Sequence, residues 1–133
     1  MSSSECVYLI IEEETESISA RRINKLESIF NKLNINCFSS QDKDFYNKIF
    51  SNEIPKPNYI IINKEINNLD EILQEINTEY PDVVIILLYS SYSNDSISIL
   101  KLEYSIKYSL DRNDINFENI ESLIFKIKSD IVF

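Results

Sequence analysis

Apolar residues in this chain fall into two alternating kinds of block. Val7 to Ile11 is a short continuous run, as expected for a strand covered on both faces. Glu12, Glu13 and Glu14 stop it abruptly. From about Thr15 the period becomes helical, with Ile23, Leu26, Ile29, Phe30 and Leu33 on one face. Ile35 to Phe38 reads as a second strand. Ser39 and Ser40 open a loop, and Asp42 is the expected N-cap of a helix carrying Phe45, Ile49 and Phe50. Pro55 and Pro57 end that helix. Tyr59 to Ile62 is a third strand, followed by Asn63. A helix from about Leu69 to Thr78 turns Leu69, Ile72, Leu73 and Ile76 inward, and Pro81 breaks the chain after it. Val83 to Leu88 is the most apolar run and predicts a central strand. After a polar loop from Tyr89 to Asn94, a fourth helix is expected from about Asp95 to Tyr104. Ile106 to Leu110 predicts a fifth strand, and Asp114 the cap of a last helix through about Val132.

Five strands alternating with five helices predict an α/β domain. Its sheet is parallel, with helices on both faces and right-handed crossovers. In such folds ligands bind at the carboxyl ends of the strands. No repeat, linker or composition shift divides the chain, so residues 1–133 read as one domain. A domain of 133 residues buries roughly two thirds of its unfolded surface, enough for a core without disulfide or metal.

Composition narrows the chemistry by what is missing. There is no Gly, which excludes P-loops, dinucleotide fingerprints and nucleophile elbows. There is no His, which removes His acid–base catalysis, Ser–His and Cys–His nucleophiles and HExxH zinc sites. The 24 Ile and 15 Asn point to an AT-rich coding bias rather than to a mechanism. The net charge of −9 repels phosphate backbones, so no nucleic-acid partner is expected. Ser2 to Glu5 is polar and no window approaches a membrane-spanning length, so neither signal peptide nor membrane contact is expected. Cys6 and Cys37 have no CxxC spacing and read as two buried, reduced thiols of a cytoplasmic protein, with a disulfide as the other reading.

The predicted strand ends carry Glu12-Glu13, Asn63, Tyr89 and Asp111 in that order. Here the chain resembles the receiver domains of bacterial response regulators. Lys56-Pro57-Asn58-Tyr59-Ile60-Ile61-Ile62-Asn63 is similar to the family's third strand leading to its phospho-acceptor. Tyr80 to Leu88 is similar to its fourth strand, and the family's spacing can be followed from Pro81 to Arg112. The resemblance implies a flavodoxin-like (βα)5 fold with strand order 2-1-3-4-5, acting in two-component signalling.

Departures from the family pattern decide the expected chemistry. The family's acceptor Asp falls on Asn63, and a neutral amide is a poor nucleophile. Its acidic metal-holding pair falls on Glu12 and Glu13, each one methylene longer than Asp. Its Ser or Thr falls on Tyr89, or on Ser90 if the alignment slips by one. Its Lys falls on Asp111, and its following Pro on Arg112. Glu12, Glu13 and Asp111 are expected to converge. Two carboxylates about 4 Å apart repel by roughly 4 kcal/mol at an effective dielectric of 20. Splayed side chains, a raised pKa, Arg112 or a cation must relieve that. Oxygen-only ligands at Glu12 and Glu13 would favour Mg²⁺ or Ca²⁺. A solvated acidic loop at a helix N-terminus is the other reading of the same residues. Asn63 reads either as a structural strand-end residue or as part of a ligand site, and Tyr89 as filling the emptied pocket.

The resemblance also places Tyr108 at the aromatic position that, in the family, swings between buried and exposed. It implies a partner or dimer surface on the fourth helix, fifth strand and fifth helix. Ile99, Leu102, Phe125 and Val132 lie off the core stripes of those helices and join Tyr108 there as candidate contacts. The expected function is a non-enzymatic pseudo-receiver: a domain that is not phosphorylated and works by protein interaction, as a homodimer or with another protein. The alternative is a cation or small-ligand sensor using the acidic pocket.

Overall fold

The computed structural model describes residues 5–42, 44–51, 53–90 and 106–131. Its sheet is parallel, with the strands side by side in the expected order: second, first, third, fourth, fifth. The strands are β1 (Cys6–Ile10), β2 (Asn36–Ser39), β3 (Tyr59–Asn63), β4 (Val84–Tyr89) and β5 (Tyr108–Asp111). Helix α1 spans Glu16–Lys32, α2 Phe45–Lys48 and α3 Leu69–Glu79; the last helix spans Phe117–Ile131. The expected fourth helix, with Ile97, Leu100 and Tyr104, lies outside the described residues.

Strand periodicity divides the core into two layers. Val7, Leu9, Tyr59, Ile61, Ile86, Leu88, Tyr108 and Leu110 face α1 and the last helix. Cys6, Tyr8, Ile10, Ile60, Ile62, Ile85 and Leu87 face α2 and α3. Continuous apolar runs are what a sheet covered on both faces requires. Tyr8 organises the second layer. Its ring meets Phe38, Phe45 and Tyr80 edge-on at 6.0, 5.8 and 6.3 Å, and its hydroxyl donates to the Pro55 carbonyl.

α1 begins where Thr15 Oγ1 accepts the Ile18 N–H at 3.2 Å, satisfying one free donor of the first turn. Two residues past its end stands Asn34, whose φ of 61° is left-handed. A chain without glycine must place another residue there, and Asn is the side chain that tolerates it best. The Ile35 N–H then reaches back to the Phe30 carbonyl at 2.9 Å and turns the chain into β2.

Several boundaries differ from expectation. α2 is a single turn that stops before Ile49 and Phe50. The Ile49 carbonyl accepts the Tyr80 hydroxyl instead of a helical N–H, and Phe50 stacks on Tyr80 at 5.9 Å. Asp42 lies ahead of that turn, accepting the Asp44 N–H at 3.0 Å. Asp114 does not cap the last helix: a 3₁₀ turn, Arg112–Asp114, intervenes, and Asn116 Oδ1 accepts the Asn119 N–H at 2.8 Å. Strands β1, β2, β4 and β5 are displaced from their expected spans by one or two residues, within the usual slack of strand ends. Cys6 is buried and Cys37 half-buried, both unpaired, and burial raises both thiols, Cys37 to about 12. No helix among the described residues is long and apolar enough to cross a membrane.

Candidate functional site

The parallel sheet brings the ends of β1, β3, β4 and β5 to one edge. Asn63, the last residue of β3, is completely buried there. Its Oδ1 accepts the Glu12 N–H at 3.0 Å and its Nδ2 donates to the Glu12 carbonyl at 2.7 Å. The β1–β3 ladder stops at the pair Ile10–Ile62, and the Asn63 side chain carries the pairing onward. On the other side of β1, Ser40 treats Ile11 the same way, donating to its carbonyl at 2.9 Å and accepting its N–H at 3.3 Å. The turn after β1 is thus held by two side chains from the neighbouring strand ends.

That turn separates the three glutamates. Glu12 is exposed, and its Oε2 accepts the Tyr46 hydroxyl at 2.6 Å. Burial and this carboxylate together push the Tyr46 phenol up. Glu13 turns inward, with only 4% of its side chain exposed. Its Oε2 lies 2.7 Å from Arg22 Nε and its Oε1 3.1 Å from Arg112 Nη2. The Arg22 contact is an ion pair without a well-directed hydrogen bond, because the Nε–H is not aimed at the oxygen. The Glu13 main-chain N–H donates to Ser19 Oγ at 2.7 Å. Arg112 also pairs with Glu65 from the loop after β3. Glu14 is exposed at the rim.

The expected convergence of Glu12, Glu13 and Asp111 does not occur. Asp111 Oδ1 is turned away to accept the Asn113 N–H at 2.9 Å, capping the 3₁₀ turn. Tyr89 is half-buried against the α3 layer, so Ser90 lines the pocket instead. The pocket is a cavity of about 520 Å³ between Glu12, Glu13, Glu65, Asn67, Ser90 and Arg112. A larger hollow of about 680 Å³ lies at the opposite edge of the sheet, beside Pro57, Tyr80 and the Glu5–Lys128 pair. It holds none of the strand-end groups.

The resemblance to receiver domains implies a divalent cation at the acidic pair, and the residues present do not fit one. Glu13 is already flanked by two guanidinium groups. Glu12 is bonded to Tyr46. Among the described residues no three His, Cys, Asp or Glu side chains group as metal ligands.

Of the candidate contact residues, Ile99, Leu102 and Val132 lie outside the described residues. Phe125 projects from the last helix with 73% of its surface exposed. Tyr108 is 7% exposed and packs in the α1 layer, its hydroxyl donating to Asp130 Oδ2 at 2.5 Å. That hydrogen bond, then burial, raises the Tyr108 phenol to about 12. An acid raised in the folded state stabilises the fold below its ordinary value, about 10, and loses that contribution as pH climbs through the folded value. Tyr108→Phe is therefore expected to cost about 1 kcal/mol near neutral pH. It should also flatten the alkaline decline in urea-unfolding stability; an unchanged alkaline limb would deny the bond its role.

Sequence reasoning missed Arg22, Tyr46, Glu65, Ser19 and Ser40. Only Arg22 carried a signal: it belongs to the one Arg-Arg pair of an acidic chain, nine residues after Glu13.

No protein-family model matches the chain, and no curated protein matches it. Solved structures do. A signal receiver domain of an HD domain-containing protein from Pseudomonas fluorescens Pf-5 is 14% identical, with TM-score 0.69, covering 98% of this chain and 100% of that one. A response regulator receiver domain protein from Clostridium thermocellum is 13% identical, with TM-score 0.70, covering 97% and 99%. A response regulator from Thermotoga maritima, solved in complex with Mg²⁺ and BeF, is 18% identical, with TM-score 0.62, covering 92% and 97%. These likenesses establish the fold, that of receiver domains.

Proposed function

We propose that this chain is a receiver-like signalling domain that takes no phosphoryl group and acts by binding protein. The observation that carries the reading is the buried amide of Asn63, with its oxygen and its nitrogen both committed to the Glu12 backbone. An amide offers no carboxylate to attack phosphorus. Arg112, which could neutralise an acyl phosphate, is spent on Glu13 and Glu65, and the position of the family's Lys carries Asp111, an anion that would repel one.

What remains for function is surface. Phe125 is an exposed large apolar side chain on a helix whose Ile120, Ile124 and Ile127 already fill the core. Burying such a ring against a partner contributes about 1.5–3 kcal/mol. With Ile99, Leu102 and Val132, it supports contact through the fourth helix, fifth strand and fifth helix, by a second copy or another protein. Tyr108 supports that face from beneath rather than by touching the partner. The cation-sensing alternative draws less support, because Glu12 and Glu13 are turned to separate partners. On this reading the domain is non-enzymatic and cytoplasmic.

Two measurements test this. Incubation with acetyl phosphate and Mg²⁺ should leave the intact mass unchanged; a stable phosphorylated product would end the proposal. Sedimentation of Ile99→Asp/Phe125→Asp should show less self-association than wild type, and identical behaviour would remove homodimerisation through this face. Saturable heat with Mg²⁺, Ca²⁺ or Mn²⁺ would favour the sensor instead.

A further inference from the structure

A further, smaller cavity, of about 200 Å³, lies between α1 and the segment after β5. It is lined by Ile18, Arg21, Arg22, Lys25, Arg112 and Ile115. Every polar side chain in that lining is cationic, in a chain of net charge −9. Residues 18, 21, 22 and 25 are spaced at i, i+3, i+4 and i+7, so α1 presents them on one face. Arg21 and Lys25 are exposed, and among the described residues no carboxylate pairs with either.

Two arginines line it. Arg22 and Arg112 both lean on the carboxylate of Glu13, and Arg112 also pairs with Glu65. Both Nε atoms are buried. That of Arg22 sits 2.7 Å from Glu13 Oε2 in an ion pair, whereas that of Arg112 makes no hydrogen bond. Buried N–H donors are almost always satisfied, so the Arg112 Nε is a demand for an acceptor. Donors in excess, positive charge in excess and guanidinium forks are the groups that recognise oxyanions. The volume also limits the guest. Pockets for drug-sized molecules run to roughly 300 Å³ and above, whereas this one suits a single small group.

We propose that this cavity is an oxyanion site, taking a phosphate-like or carboxylate group with Arg21 and Lys25 closing over it. It stands apart from the signalling reading above: it uses a different cavity and needs no attack on phosphorus.

The test is an amide-shift titration by NMR with inorganic phosphate at constant ionic strength, chloride serving as the control anion. Saturable shifts are expected within residues 18–25 and 112–115. The variant Arg21→Ala/Lys25→Ala removes two exposed side chains and should keep the wild-type melting temperature. It should weaken phosphate by roughly tenfold or more. Shifts that never saturate, that chloride reproduces, or that the double variant leaves intact would each overturn the site. Parallel arms with a phosphoserine tetrapeptide and with a glutamate tetrapeptide identify the source. Equal affinity for phosphate and peptide assigns a free ion, and a roughly tenfold preference for a peptide assigns a group carried on a chain.

Discussion

Asn63→Asp, the substitution that puts an acid where receiver domains carry one, is expected to weaken the fold and yield no phosphorylated protein. The amide of Asn63 both accepts from and donates to the Glu12 main chain. An ionised carboxylate keeps only the accepting half. Its second oxygen would face the Glu12 carbonyl at a position with no exposed surface. A buried charge without a partner costs about 3–5 kcal/mol. Part of the cost will be avoided by protonation, since the neutral acid can still donate. Burial raises the folded-state pKa of the introduced carboxyl above its unfolded value of about 3.9. The variant is therefore closest to wild type below that value, and it loses stability as pH rises through the raised folded pKa. Urea unfolding of both proteins from mildly acid to neutral pH reads this directly. Equal stability at neutral pH would mean that the Asn63 clamp is not what holds the β1 turn. A phosphorylated variant would mean that the pocket tolerates the product after all.

Glu13→Gln should have the next largest effect. The Glu13 carboxylate pairs with two guanidinium groups, one of which it shares with Glu65, and its side chain is almost wholly buried. Removing one partner of a buried pair costs about 3–5 kcal/mol, most of it the penalty on the charge left behind. Arg22 and Arg112 keep 23% and 20% of their side chains exposed, so water will screen some of that penalty. A loss of about 2–3 kcal/mol is the expected outcome. Arg112→Gln should cost less, because Glu13 keeps Arg22. A double-mutant cycle in denaturant isolates the pair, and a coupling near zero would reduce the cluster to a surface arrangement.

Both predictions concern residues whose partners lie far along the chain. Asn63 is legible in the sequence as a departure from the family pattern, but its clamp on Glu12 is not. Nothing local to either residue states that β1 and β3 are neighbours ending close together. Asp111 is legible as the residue after the last strand's apolar run, but the direction of its side chain is not. A short side chain opening a turn can bond its own backbone two residues on, and that local bond wins over the pocket. Arg112 reads from the sequence as one possible relief for the glutamates, and it is one. Arg22, on the far wall of the same cluster, sits on the polar side of a helical pattern that says nothing of what it meets.

Among the described residues, the five strands and the long helices α1, α3 and the last one were determined by the sequence alone, because hydrophobic period is a local property repeated several times in each element. The parallel sheet with its central β1 and β3 followed from their alternation together with the resemblance. Only the tertiary structure decided what the strand-end side chains do. Those groups meet across connections of tens of residues, and a rotation of one side chain moves its charge from one partner to another. Glu12 reaches Tyr46, Glu13 reaches Arg22 and Arg112, and Asn63 reaches a backbone. Three polar positions at one sheet edge thus acquire three different roles through register and packing.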